Sequence, residues 1–81
     1  MTPHPPDFYA ERCKSEDNLA RYYRLQVTPT LFGDIALVRC WGRIGTRGRE
    51  KVMTFAAPEA AAHMYAAIKG RKLRRGYQEI R

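Results

Sequence analysis

Hydrophobic and polar positions alternate along the first two thirds of this chain, then change to helical spacing after Phe55. Alternation marks a strand with one face buried. Phe8 to Cys13 predicts a first strand, closed by the polar cluster Lys14-Ser15-Glu16-Asp17-Asn18. Arg21 to Val27 predicts a second, with Tyr23, Leu25 and Val27 facing inward. Tyr22 falls on the polar face beside Arg24, where it reads as packing on its neighbours. Thr28-Pro29-Thr30 and Gly33-Asp34 bracket a connection that returns the chain antiparallel. Ile35 to Ile44 is then the longest strand, Gly45-Thr46-Arg47-Gly48 a tight turn, and Arg49 to Phe55 the partner strand.

From Pro58 to Lys69 the composition is helical, with Pro58 suited to the first turn and Glu59 to the positive end of the helix dipole. Ala60, Ala61, Met64, Ala67 and Ile68 make the expected buried stripe, and Gly70 the expected end or fraying point. Arg74-Arg75-Gly76-Tyr77 leads into a short last strand or an ordered tail. Residues 1–7 read as a disordered Pro-rich tail and residues 8–81 as a single domain. The expected fold class is α+β: a small antiparallel β-sheet of four to five strands with one α-helix packed across it.

With 81 residues, such a domain buries a simple core and is only marginally stable. No apolar run is long enough to span a membrane and the N-terminus lacks the regions of a signal peptide, so a cytoplasmic location is expected. Cys13 and Cys40 are too few for a disulfide scaffold and are expected reduced, in the core. Together with His4 and His63 they contain no close ligand pair, so neither a metal nor another cofactor is expected. No nucleophile elbow or phosphate loop occurs, and the chain is not expected to be an enzyme.

Charge changes the picture more. The net charge is +7 and unevenly spread: residues 1–38 hold four basic groups against five acids, residues 39–81 eleven against three. That asymmetry points to a polyanionic partner. The basic half also contains the one tryptophan, in Arg39-Cys40-Trp41-Gly42-Arg43. In a strand, Arg39, Trp41 and Arg43 share a face, with the cations roughly 7 Å either side of the indole. A flat or sugar surface bracketed by phosphates suits that arrangement. A lone Trp in a small domain is usually a core anchor, but its arginine neighbours favour ligand stacking, although Ile35 and Leu37 lie on the same face and leave part of it open to being covered. Five cations fall within Lys69 to Arg75, more than compensation of the helix dipole requires, and predict a second phosphate-contacting patch.

Trp41-Gly42-Arg43-Ile44-Gly45, the preceding Asp17-Asn18-Leu19-Ala20-Arg21-Tyr22-Tyr23-Arg24-Leu25, Pro29-Thr30-Leu31-Phe32-Gly33, and the later Gly48, Phe55 and Arg74-Arg75-Gly76-Tyr77 resemble the WGR domain family, in its bacterial branch. The resemblance implies a small antiparallel sheet with one helix. In poly(ADP-ribose) polymerases the similar domain helps to bind broken or nicked DNA and relays that binding to a catalytic domain. Its motif Trp packs on the sugar of a terminal nucleotide, and its motif Arg and nearby basic groups hold the backbone and 5′ phosphate. Carried over, those roles fall on Trp41 and Arg43, with Lys72 as the lysine after the helix and Asn18 as a looser match.

The candidate nucleic-acid-binding residues are therefore Trp41, Arg43, Arg39, Arg47, Lys72, Lys69, Arg71 and Asn18. DNA, at strand ends, nicks or a 5′ phosphate, is the expected partner of a monomeric module, with RNA also open and a protein partner in trans conceivable. The rival reading is a protein-interaction module that docks on an acidic partner and regulates it.

Overall fold

The computed structural model describes residues 5–80; most of the predicted Pro-rich tail lies outside them. Strands β1 (Phe8–Lys14), β2 (Leu19–Pro29), β3 (Ile35–Arg43) and β4 (Arg49–Phe55) form an antiparallel meander. Helix α1 (Pro58–Arg74) follows, and a two-residue strand β5 (Gln78–Glu79) pairs antiparallel with β1. The sheet order is β4-β3-β2-β1-β5, an open α+β sheet. A 3-10 turn at Ser15–Asp17 joins β1 to β2 and ends on Asn18, which adopts a left-handed conformation at φ 52°.

The alternation explains which face the helix covers. Phe8 and Ala10 of β1, Tyr23, Leu25 and Val27 of β2, and Ile35 and Leu37 of β3 pack against Ala61, Tyr65 and Ile68 of α1. The buried stripe of the helix differs from the alanine-based expectation. Ala60 and Ala67 are exposed, Met64 is half-buried, and Tyr65 is buried. Tyr65 enters the core because its hydroxyl reaches the backbone, donating to the Pro6 carbonyl at 2.7 Å. Burial, its main cause, raises the pKa of that phenol. The same bond ties down one residue of the segment expected to be disordered.

The helix also runs past Gly70 to Arg74. Its stop signal lies further on, where Gly76 takes φ +96°. The amides of Gly76 and Tyr77 donate back to the Leu73 and Lys72 carbonyls at 3.2 and 3.1 Å, a Schellman ending. This fixes Lys72 and Tyr77 beside one another at the sheet.

Neither cysteine is in the core. Cys13 is exposed and Cys40 half-buried, because both fall on the strand parity opposite to the helix-covered residues. The Cys40 thiol lies 3.7 Å from the Glu50 carboxylate, and burial first, then that carboxylate, pushes its pKa up. Among the described residues, no helix is long and apolar enough to cross a membrane, and no three His, Cys, Asp or Glu side chains gather to hold a metal ion.

Candidate nucleic-acid interface

Strand β3 carries Ile35, Leu37, Arg39, Trp41 and Arg43 on its helix-side face. The first two are buried beneath α1; the last three lie progressively beyond its cover. Backbone geometry at the hairpin after β3 fixes how Trp41 is presented. Thr46 donates to the Arg43 carbonyl from its amide at 3.0 Å and its hydroxyl at 2.8 Å. The turn folds over the outer side of Gly42, where a Cβ would come 2.7 Å from the Gly48 Cα. Gly48 itself has φ +68°, and a side chain there would strike the Trp41 carbonyl and Tyr22 hydroxyl. Tyr22 is buried, stacks on Tyr9 with centroids 6.1 Å apart, and donates to the Arg47 carbonyl at 2.7 Å. The Trp-Gly-Arg backbone is thus braced from behind, and the glycine is the residue that lets the hairpin close.

On the other side, the indole is half-buried. It stacks on Tyr23 with centroids 6.1 Å apart and planes 17° from parallel. Arg39 caps both rings, its guanidinium carbon 5.7 Å from the Trp41 centroid and 6.0 Å from that of Tyr23. Its Nε also donates to the Tyr23 hydroxyl at 2.8 Å. Trp41 is consequently both an extension of the core and a surface: the part not covered by Tyr23 and Arg39 lines an open cleft of ≈ 640 Å³.

That cleft is also lined by Asn18, Leu19, Arg21, Arg43 and Arg49. Strand register explains the gathering of charge. Arg21 of β2 stands directly opposite Arg43 of β3, and Arg49 of β4 opposite Trp41. Like charges facing each other across a strand pair are unfavourable. Among the described residues, the two ion pairs are Lys14–Asp17 and Lys69–Glu79, at 3.3 and 3.8 Å, and neither involves these arginines. Arg43 instead spans to the loop before β2. Its Nη1 donates to the Asn18 carbonyl at 3.1 Å and its Nη2 to the Asn18 Oδ1 at 3.2 Å.

Lys72 adds a further cation from the helix end. Its Nζ lies 4.4 Å from the Tyr23 centroid and 5.7 Å from that of Tyr77. Burial lowers its pKa most, followed by repulsion from Arg75, Arg39, Arg71 and Arg21.

Of the residues singled out from sequence, the structure brings Trp41, Arg39, Arg43 and Asn18 together, with Lys72 on the shared Tyr23 ring. Lys69 points elsewhere: its Nζ lies over Phe8 and Tyr65, at 5.5 and 5.9 Å, and pairs with Glu79. Arg71 is exposed on the helix and makes no contact with the indole's cleft. Arg47 lines a separate depression with Tyr9, Tyr22 and Arg24 on the other side of the hairpin. Sequence reasoning missed Arg21 and passed over Arg49 and the Tyr23 platform. The register that sets Arg21 against Arg43 was the signal needed, and alternation within single strands does not supply it.

The WGR domain family matches residues 7–81, and the chain belongs to that family. The chain is also similar to y4dW, an uncharacterized protein of Sinorhizobium fredii, at 42% identity over 78 residues. That alignment covers 96% of this chain but 38% of the relative, so the chain spans well under half of the relative's length. No solved structure matches. Membership is consistent with nucleic-acid binding in general.

Proposed function

We propose that this chain is a DNA-binding module, without catalytic activity of its own, that holds the phosphate backbone and a terminal or exposed sugar. The observation that carries this reading is the facing pair Arg21 and Arg43 beside Trp41, with Arg49 across the indole and no carboxylate paired to any of them among the described residues. A polyanion turns that unfavourable arrangement into a favourable one. Each guanidinium can hold two phosphate oxygens, and the free part of the indole offers a sugar or base a flat apolar surface. On this reading the contacts go mainly to backbone and sugar, with little base readout. A cytoplasmic location and strand ends, nicks or a 5′ phosphate as the preferred DNA feature belong to the same reading.

Salt dependence tests it. With three to five phosphates neutralised, log K falls against log salt with a slope of about −2.7 to −4.5. Fluorescence anisotropy with nicked, blunt and single-stranded oligonucleotides, each with and without a 5′ phosphate, measures slope and preference together. Equal, weak affinity for all of them with no response to the 5′ phosphate contradicts the reading and favours an acidic protein as partner.

A further inference from the structure

The end of the molecule furthest from the cleft has the opposite character. β2 and β3 pair from Arg21↔Arg43 to Pro29↔Ile35, a distance of about 27 Å along the strands. At the far end the connection projects Leu31 and Phe32, which are 98% and 90% exposed. This is a built turn. The Thr30 amide donates to the Asp34 carbonyl at 2.9 Å, the Gly33 amide to the Thr30 carbonyl at 3.4 Å, and the Phe32 amide to the Thr30 hydroxyl at 3.2 Å. Two large adjacent hydrophobes held in water by an ordered turn form an exposed apolar projection of the kind that marks interaction sites.

Charge identifies what fits it. Residues 25–38 and 52–68 contain no lysine or arginine, although the chain carries fifteen. The acids of this end are Asp34 in the turn, Asp7 just before β1, and Glu59 in the first turn of α1, which follows the β4 residue Phe55 paired with Ile35. The complement is an apolar hollow rimmed by cations. One such hollow is already described: Leu19, Ala20 and Trp41 give the cleft apolar walls, and Arg21, Arg43 and Arg49 its basic rim. A projection so far along the strands from the cleft of its own chain reaches only the cleft of another.

We propose that the chain associates head to tail with a second copy, Leu31 and Phe32 of one molecule entering the cleft of the next and Asp34 meeting its arginines. The inference rests on the reading of the cleft as an anion-binding surface. A contact made by two side chains is weak and concentration-dependent, and because it is heterologous it extends into short chains rather than closing into a dimer. It occupies the surface assigned to nucleic acid, so self-association and DNA binding exclude each other. Crowded protein without DNA masks its own sites, and DNA dissolves the chains.

Sedimentation velocity of the whole chain at low ionic strength tests the contact. The sedimentation coefficient is expected to climb as protein rises from micromolar to millimolar concentration, and the climb to be lost in high salt. Saturation with a 5′-phosphorylated duplex is expected to leave only single-copy complexes. The double variant Leu31→Ser, Phe32→Ser, which alters only exposed side chains, is expected to stay monomeric throughout while binding the duplex with undiminished affinity. A wild-type chain that is monomeric over the whole range overturns the proposal, as does a variant that associates like wild type or association that persists on saturating duplex. The two readings fail separately. A monomer that binds duplex removes only the self-contact, whereas tip-dependent association without duplex binding removes only the DNA reading.

Discussion

Two halves of one strand face behave differently in this molecule. Ile35 and Leu37 of β3 are sealed beneath α1, while Arg39, Trp41 and Arg43, continuing the same face, leave its cover step by step. The backbone is equally regular in both halves, so the difference arises from what crosses above. The helix approaches from the β4 end, seats Ala61, Tyr65 and Ile68 over the first half, and brings Lys72 to the boundary at Tyr23. Beyond it the sheet presents an aromatic stack whose outer edge is free, ringed by guanidiniums. The first half supplies core; in the second the facing Arg21 and Arg43 repel in the free protein, and on the proposed reading a bound anion offsets that repulsion.

Substitutions in the two halves should therefore report on different quantities. Leu37→Ala, in the covered half, is expected to lower stability by about 2–5 kcal/mol in urea unfolding, with the affinity of the folded fraction for DNA unchanged. Trp41→Ala, at the boundary, is expected to weaken duplex binding by roughly 1–3 kcal/mol with the salt slope kept. It should also cost some stability, because Tyr23 loses its stacking partner. A stability loss as large as that of Leu37→Ala with no change in binding would erase the distinction between the halves.

The arginines sharpen the comparison at smaller cost. Arg21→Ala is expected to flatten the salt slope by about one unit in anisotropy titrations run across a salt series. Arg43 differs from Arg21 in also bracing Asn18 through two nitrogens. A lysine preserves charge but not that fork. Both lysine variants lose the second phosphate bond, but Arg43→Lys also loses Asn18. It is thus expected to weaken binding several-fold more than Arg21→Lys, on the scale of about 0.5–1.5 kcal/mol for the lost hydrogen bonds.

The smallest effect is one of pH. Lys72 has its pKa lowered in the folded chain, so between that value and the ordinary lysine value the unfolded chain holds more protons and stability rises with pH. Bound phosphate favours the charged ammonium and works in the other direction. DNA affinity is expected to fall as pH rises through the alkaline range below the ordinary lysine value, and this fall should be absent in Lys72→Arg. An identical pH profile for both proteins would remove Lys72 from the interface.

Much of the architecture was legible because it depends on local pattern. The alternation of Tyr23, Leu25 and Val27 gave the inward face, and paired glycines at 45 and 48 gave the hairpin. The change of period at Pro58 gave the helix. What escaped were features set by how elements meet. Tyr65 joins Ala61 in the buried stripe, where Ala60 and Ala67 do not, because a carbonyl from Pro6 is there to receive its hydroxyl. Gly70 fails to stop the helix because Gly76 and Tyr77 supply the hydrogen-bonded ending. In the candidate site, Trp41 and Arg43 stand out within one strand, but Arg21 becomes visible only through register. Lys69 belongs to the same basic cluster as Lys72 in sequence, but the helix phase turns it toward Glu79.

The most direct test of the central claim is a chemical-shift titration of the chain with a nicked, 5′-phosphorylated duplex. The account predicts that the Trp41 indole N–H and the side-chain resonances of Arg21, Arg43 and Arg49 move together, while those of the face away from the helix stay in place. Shifts confined instead to Arg24, Val38 and Val52, on the sheet face away from the helix, would contradict it.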